Sequence, residues 1–217
     1  MPGTDPHAPT RRALALVHRD LDACTACPAM IRPVVHGPAV PSRILLLGQA
    51  PGPHEAKYGR PFAWTAGKTL FRWFHEALGV TEEDFRAKVY MAAVARCFPG
   101  KAPGGGDRKP DRDEIERCKP FLAREVAALQ PRVVLAVGTL AITQVLGRSP
   151  KLDAVVGTLE RARYHGADVD VIALPHPSGV SPWHKLEPGK SRLAAALALF
   201  ARHPEAVAAF GETHPQG

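Results

Sequence analysis

The chain has 217 residues, of which 45% are hydrophobic and 23% charged, the balance of an ordinary soluble globular domain. No apolar run approaches the roughly 20 residues of a membrane span, and the opening residues, MPGTDPHAPTRR, hold no apolar stretch of the kind a secretory leader carries. A cytoplasmic monomer without membrane contacts is expected. Lys and Arg number 28 against 21 Asp and Glu, a net charge of +7 with His neutral, which favours a polyanionic partner without requiring one.

Residues 1–10 read as a disordered tail, and residues 11–217 as one domain. Leu14, Val17 and Leu21 recur at helical spacing over 11–23. Residues 43–48 are a continuous apolar run ending in Gly48, the pattern of a strand buried on both faces. A Gly- and Pro-rich loop, 49–66, leads to a helix over 67–78 with Leu70, Trp73, Phe74 and Leu78 on one stripe. A second buried strand is predicted over 88–95, a loop over 98–112, and a long helix over 113–130 with Asp113 and Glu114 at its positive end. A third strand (131–138) and a short helix (139–146) follow. Residues 153–164 read as a hairpin or ragged strand pair, 169–174 as a fourth strand, and 191–202 as the last helix. Strands alternating with helices imply βαβ units, hence a three-layer α/β/α fold on a mostly parallel four-stranded sheet.

Ligands of such sheets bind at the carboxyl ends of the strands, which directs attention to the loops after Gly48, Ala95 and Leu174. Two other features, Gly67-Lys68-Thr69 and Gly189-Lys190-Ser191, suggest phosphate loops. The motif needs a second Gly five residues before the first of each triplet, and Phe62 and His184 stand there, so both triplets read as helix starts.

The loop after the first strand runs Gly48-Gln49-Ala50-Pro51-Gly52-Pro53-His54-Glu55 and on through Gly59-Arg60-Pro61-Phe62 to Ala66-Gly67. Its glycines allow close backbone approach to a ligand, and Phe62 could stack on a planar one. This wording resembles, without a gap over 48–67, the iron–sulfur branch (family 4) of the uracil-DNA glycosylase superfamily, with Gln49 in place of Glu. Gln49 also matches the Gly-Gln-Asp-Pro motif of better-known uracil glycosylases, and Ala50 stands where those enzymes carry a water-activating Asp. Family 4 has Ala there as well. The resemblance spans roughly residues 20–200.

The second motif, His176-Pro177-Ser178-Gly179-Val180-Ser181 after the fourth strand, is similar to the family's catalytic loop. The resemblance implies that His176 hydrogen-bonds the uracil O2, that Ser178 lies beside the base, and that Val180 is the wedge inserted into the DNA stack. The chemistry requires such parts. A base must be flipped out of the duplex before its glycosidic bond can be cut, an apolar wedge fills the gap, and donors aimed at the leaving base stabilise its charge. Phe62 would stack on the flipped base, within a pocket formed by Gly48, Gln49, Ala50 and Ala93. Gln49 or Glu55 would hold the attacking water.

Cys24 and Cys27 form a Cys-x-x-Cys, Cys97 follows the second strand, and Cys118 lies in the next helix. By spacing alone the four could hold zinc, hold an iron–sulfur cluster, or be unrelated thiols. The resemblance implies a [4Fe–4S] cluster on all four, with Cys118-Lys119-Pro120-Phe121-Leu122 matching the last ligand's context. The 97–118 interval is longer than the family's usual one.

One departure bears on substrate. The strand wording Thr-Asn-Val-Val-Lys-Cys of family 4 is here Ala92-Ala93-Val94-Ala95-Arg96-Cys97, so Ala93 replaces the Asn that reads the uracil edge. The expectation is a DNA glycosylase of base-excision repair acting on DNA with deaminated bases, with relaxed uracil selectivity that could extend to hypoxanthine or xanthine. The alternatives are a non-catalytic DNA-damage binder of the same fold, or a redox or zinc-binding protein. Lys57, Arg60, Lys68 and Lys185 are candidates for phosphate contacts.

Overall fold

A computed structural model describes residues 5–179 and 181–212. In chain order the elements are α1 (Ala8–Asp22), β1 (Ile44–Gly48), α2 (Glu55–Tyr58), α3 (Thr65–Leu78), α4 (Glu82–Lys88), β2 (Tyr90–Ala93), α5 (Arg112–Leu129), β3 (Val133–Val137), α6 (Thr139–Leu146), α7 (Leu152–Val155), β4 (Glu160–Tyr164), β5 (Ala167–Leu174), α8 (Gly189–Ala201) and α9 (Pro204–Phe210).

The sheet has five strands in the order β2-β1-β3-β5-β4, and only β4 is antiparallel to its neighbour. The expected four-stranded sheet is therefore one strand short. The strand left out of that count, β4, lies within the segment read as a hairpin or ragged strand pair; it is an edge, and Arg161 and Arg163 interrupt any apolar run. It turns into β5 through His165 and Gly166, both at positive φ (45° and 88°), the backbone of a tight two-residue hairpin turn. Residues 153–155, assigned to the same strand pair, belong instead to α7.

Every residue of β1 and β3 is buried, as expected for central strands covered on both faces. The chain moves one way across the sheet from β1 to β2, through α3 and α4, and the other way from β2 to β3, through α5. Right-handed crossovers then put α3 and α5 on opposite faces. Helix α1 packs on α5 and α8 packs on α3, completing the three layers. α5 starts with a capping box: the Asp111 side chain accepts from Glu114 N and the Glu114 side chain from Asp111 N.

Helix α1 begins at Ala8, three residues before its predicted start, with Pro in its first turn and Asp5 bonded to the His7 N–H and the Arg11 guanidinium. Residues 8–10, expected in the tail, are thus helical. The parallel register sets Gly48 beside Ala93 and Val137 beside Leu174, so the carboxyl ends of the four parallel strands form one edge. Among the described residues no single helix is long and apolar enough to cross a membrane.

Candidate active site and cysteine cavity

A cavity of about 160 Å³ opens at that edge, and Gly48, Gln49, Ala50, Phe62, Ala93 and His176 all line it. The Phe62 ring lies on Gly48 so closely that a Cβ there would come within 2.8 Å of Cζ. Phe62 itself has φ 55°, a region that disfavours bulky residues and that surrounding structure must enforce. Two contacts enforce it. Arg86 Nη2 donates to Phe62 O at 2.9 Å, and Gly67 packs so tightly that a Cβ would lie 1.8 Å from the same oxygen. The Gly-x₁₃-Phe-x₄-Gly spacing of the loop therefore holds the ring close against the Gly48 backbone, in the cavity lining.

His176 follows β5 and rests against Gly138, whose φ of 84° only Gly adopts readily and where a Cβ would meet the imidazole Cδ2 at 3.2 Å. Ser178 N donates to His176 Nδ1 at 3.2 Å. With Nδ1 accepting, a neutral ring carries its proton on Nε2. Burial lowers the His176 pKa, with the Asp107 carboxylate opposing, which favours the neutral ring, an N–H donor through Nε2. Ser178 also lines the cavity. The expected wedge, Val180, lies outside the described residues.

Glu55 lines the cavity, but both its oxygens are engaged: Oε2 accepts from Gly52 N and Oε1 from Ala63 N, the latter at 3.2 Å. Burial raises its pKa, and those backbone donors oppose the rise. Its position is that of a clamp closing the 52–63 loop. The Gln49 carboxamide makes no hydrogen bond to the described residues, while the Gln49 backbone carbonyl accepts from Ala95 N at 3.0 Å. Ala93 forms part of the wall, 5% exposed, and offers no polar side-chain atom.

One acidic residue of the cavity escaped the sequence reading. Asp107 enters from the long 97–118 interval, and its Oδ2 lies 3.6 Å from the position a Gly52 Cβ would take. A small hairpin places it: Lys101 and Asp107 form an isolated antiparallel bridge, Lys101 Nζ contacts Asp107 Oδ1 at 2.6 Å, and Arg108 N donates to Gly100 O at 2.8 Å. Arg108 then grips Glu114 of α5 through two bonds of 2.8 and 2.7 Å. The loop's lack of periodicity concealed this closure. The charge of Asp107 inside a Gly-rich segment was the only available signal.

The four cysteines converge as the spacing allowed. Cys24, Cys27, Cys97 and Cys118 line a second cavity of about 160 Å³, and none is in a disulfide. Burial raises the thiol pKa of Cys27 and Cys118 and pushes Cys97 up to about 11. Among the described residues no three His, Cys, Asp or Glu side chains are drawn together around one ion. Arg96 lines the same cavity, is buried, and has an Nη1 without a hydrogen-bond partner among the described residues. A buried guanidinium N–H demands an acceptor. Four sulfur donors are a soft set suited to zinc or an iron–sulfur cluster. Donor set and orphaned N–H together fit a sulfur-ligated group carrying negative charge.

Of the basic candidates, Lys57, Lys68 and Lys185 are exposed, whereas Arg60 approaches Glu82 at 3.6 Å.

A family model described as "Uracil DNA glycosylase superfamily" matches residues 34–213. A type-4 uracil-DNA glycosylase of Pyrobaculum aerophilum is 33% identical over 141 residues, covering 63% of this chain and 67% of that protein. The type-4 enzyme of Sulfurisphaera tokodaii is 31% identical over 141 residues, covering 63% and 60%. A type-5 uracil-DNA glycosylase of Pyrobaculum aerophilum is 29% identical over 163 residues, covering 68% and 66%. The chain thus spans about two thirds of these relatives' length. With most of its residues inside the family match and its two sequence motifs facing one cavity, the chain belongs to the uracil DNA glycosylase superfamily.

Proposed function

We propose that the protein is a DNA glycosylase that hydrolyses the N-glycosidic bond of uracil or another deaminated base in base-excision repair. The observation that carries this reading is the one cavity that a backbone-pinned Phe62 and a half-buried His176 line together. A base flipped into it would stack on Phe62 while the His176 Nε2–H donates to its O2. As the bond from C1′ to the base nitrogen breaks, the electron pair leaves with the base, and that donor stabilises the developing anion. A neutral donor does so without having to be recharged between turnovers.

The attacking water needs an acceptor. Glu55 has both oxygens occupied by backbone N–H groups, Ala50 has none to offer, and the Gln49 amide can hold a water but not take its proton. Asp107 lines the cavity with Oδ2 near Gly52 while Lys101 holds Oδ1, so we assign it to orient the water and take its proton as oxygen bonds to C1′. Ala93 leaves the base edge without a side-chain partner, which supports relaxed selectivity among deaminated bases. Cys24, Cys27, Cys97 and Cys118 would hold a [4Fe–4S] cluster whose role is to cross-link the segment after α1 to the 97–118 loop. Iron and sulfide in anaerobically purified protein would support this, and stoichiometric zinc without sulfide would remove it.

The reading is tested by single-turnover excision on oligonucleotides carrying uracil, hypoxanthine or xanthine. His176→Ala is expected to slow excision by about a hundredfold or more, the scale of one lost donor to developing charge, and Asp107→Asn to slow it while leaving DNA affinity intact. Tight DNA binding with no base released from any substrate would replace the enzyme with a damage binder.

A further inference from the structure

A cluster of exposed aromatic rings, with His54 tilted by 34° against Trp64, stands at the mouth of the Phe62 cavity. His54 precedes α2, Tyr58 ends it, and Trp64 precedes α3. The His54 and Trp64 ring centroids are 4.5 Å apart, and Tyr58 and Trp64 lie 6.0 Å apart with planes inclined by 25°. Tyr58 is 44% exposed and Trp64 41%, and neither belongs to the described hydrophobic core. His54 and Trp64 also line the cavity itself, so the ring cluster is continuous with the base pocket. Lys57 and Lys68 on the same segments are exposed, and neither is in an ion pair among the described residues. Large rings left in water as one patch mark a contact surface, and the cations beside them point to a partner with phosphates.

We propose that His54, Trp64 and Tyr58 form a stacking platform for the unpaired nucleotide next to the flipped one, and that this gives the enzyme a preference for single-stranded DNA. A ring offered at the pocket mouth can only be used by a base free to leave its own stack. In duplex DNA the neighbouring base stays paired. In a single strand it is free to settle on Trp64, with Lys57 and Lys68 taking the flanking phosphates. Stacking of this kind ignores base identity, because every base has a π-face. The inference rests on the glycosylase reading, since it takes the Phe62 cavity as the base site.

The test compares fluorescein-labelled single-stranded oligothymidylate without uracil against a duplex of the same length, by anisotropy, with excision rates on uracil-bearing versions. Alanine at a stacking ring costs about 5- to 150-fold in affinity per base. Trp64→Ala is expected to weaken single-strand binding at least fivefold and duplex binding less than twofold. Trp64→Phe, which keeps a ring, should stay within threefold of the parent. Because Trp64 is exposed, circular dichroism of both variants should match the parent. Equal losses on single strand and duplex, or no loss on either, would overturn the platform while leaving the glycosylase reading standing. A parent protein that binds neither DNA would instead overturn the glycosylase reading, and the platform with it.

Discussion

Replacing Arg96 by methionine probes the polar chain that joins the two cavities. The Arg96 and Glu125 side chains are each 1% exposed and face each other as an ion pair. Burial works against the guanidinium charge, and Glu125, together with Tyr90 and Cys118, more than offsets it, so the Arg96 pKa is raised. Arg96 Nε also donates to Ala93 O at 2.9 Å, in the wall of the base pocket. Tyr90 OH donates to Glu125 Oε1 at 2.6 Å, and His18 Nε2 lies 2.9 Å from that hydroxyl. Arg96→Met would leave a buried carboxylate with one neutral donor and strip a donor from Ala93 O. Breaking a buried pair on one side costs about 3–5 kcal/mol, and the bare carbonyl adds part of a further ~1–3 kcal/mol. With a urea slope near 3 kcal/mol/M for a chain of this size, the unfolding midpoint should fall by about 1 M or more. Arg96→Met with Glu125→Leu removes both charges and should recover most of that loss. A midpoint shift of the single variant below about 0.3 M, or a double variant no better than the single, would refute the reasoning.

Much of this architecture was readable because it is written in apolar runs. β1 and β3 are buried at every position, and a continuous run is the only pattern such strands can have. α4 and α9 escaped because each is seven residues long with a single buried residue, Phe85 and Ala206, too little for a periodic stripe. At the site, the 48–67 loop could be read because its glycines and Phe62 serve one local contact. Asp107 and Arg96 could not, for opposite reasons. Asp107 reaches the cavity only after a hairpin closes and Arg108 anchors it to α5. Arg96 appears as one more surface cation until tertiary packing supplies Glu125, 29 residues away. Residues that act through partners distant in sequence leave no spacing to read.

Three further perturbations separate the parts of this account. Burial pushes the His18 pKa down to about 4 from 6.5. Its contribution is therefore full above pH 6.5 and lost as pH falls toward 4, at most about 3 kcal/mol. Urea midpoints should decline less over that window in His18→Gln than in the parent, and parallel declines would count against it. Gly67→Ala drives a Cβ into Phe62 O, so it should cost about 1–3 kcal/mol of stability and slow excision by displacing the ring; a variant neutral in both measurements would show that Phe62 is not held as described. Ala93→Asn addresses selectivity. Ala93 ends β2 beside Gly48 and faces the cavity, so an amide there meets the edge of whatever base lies on Phe62. Its donor and acceptor suit the uracil edge, and a buried polar edge left unpaired costs about 1–3 kcal/mol. Supplying the partner should therefore raise the single-turnover rate on uracil relative to hypoxanthine and xanthine by about fivefold or more. Unchanged ratios, or a parent that already removes uracil with high selectivity, would mean that another cavity residue reads the base and that Ala93 leaves no gap to fill.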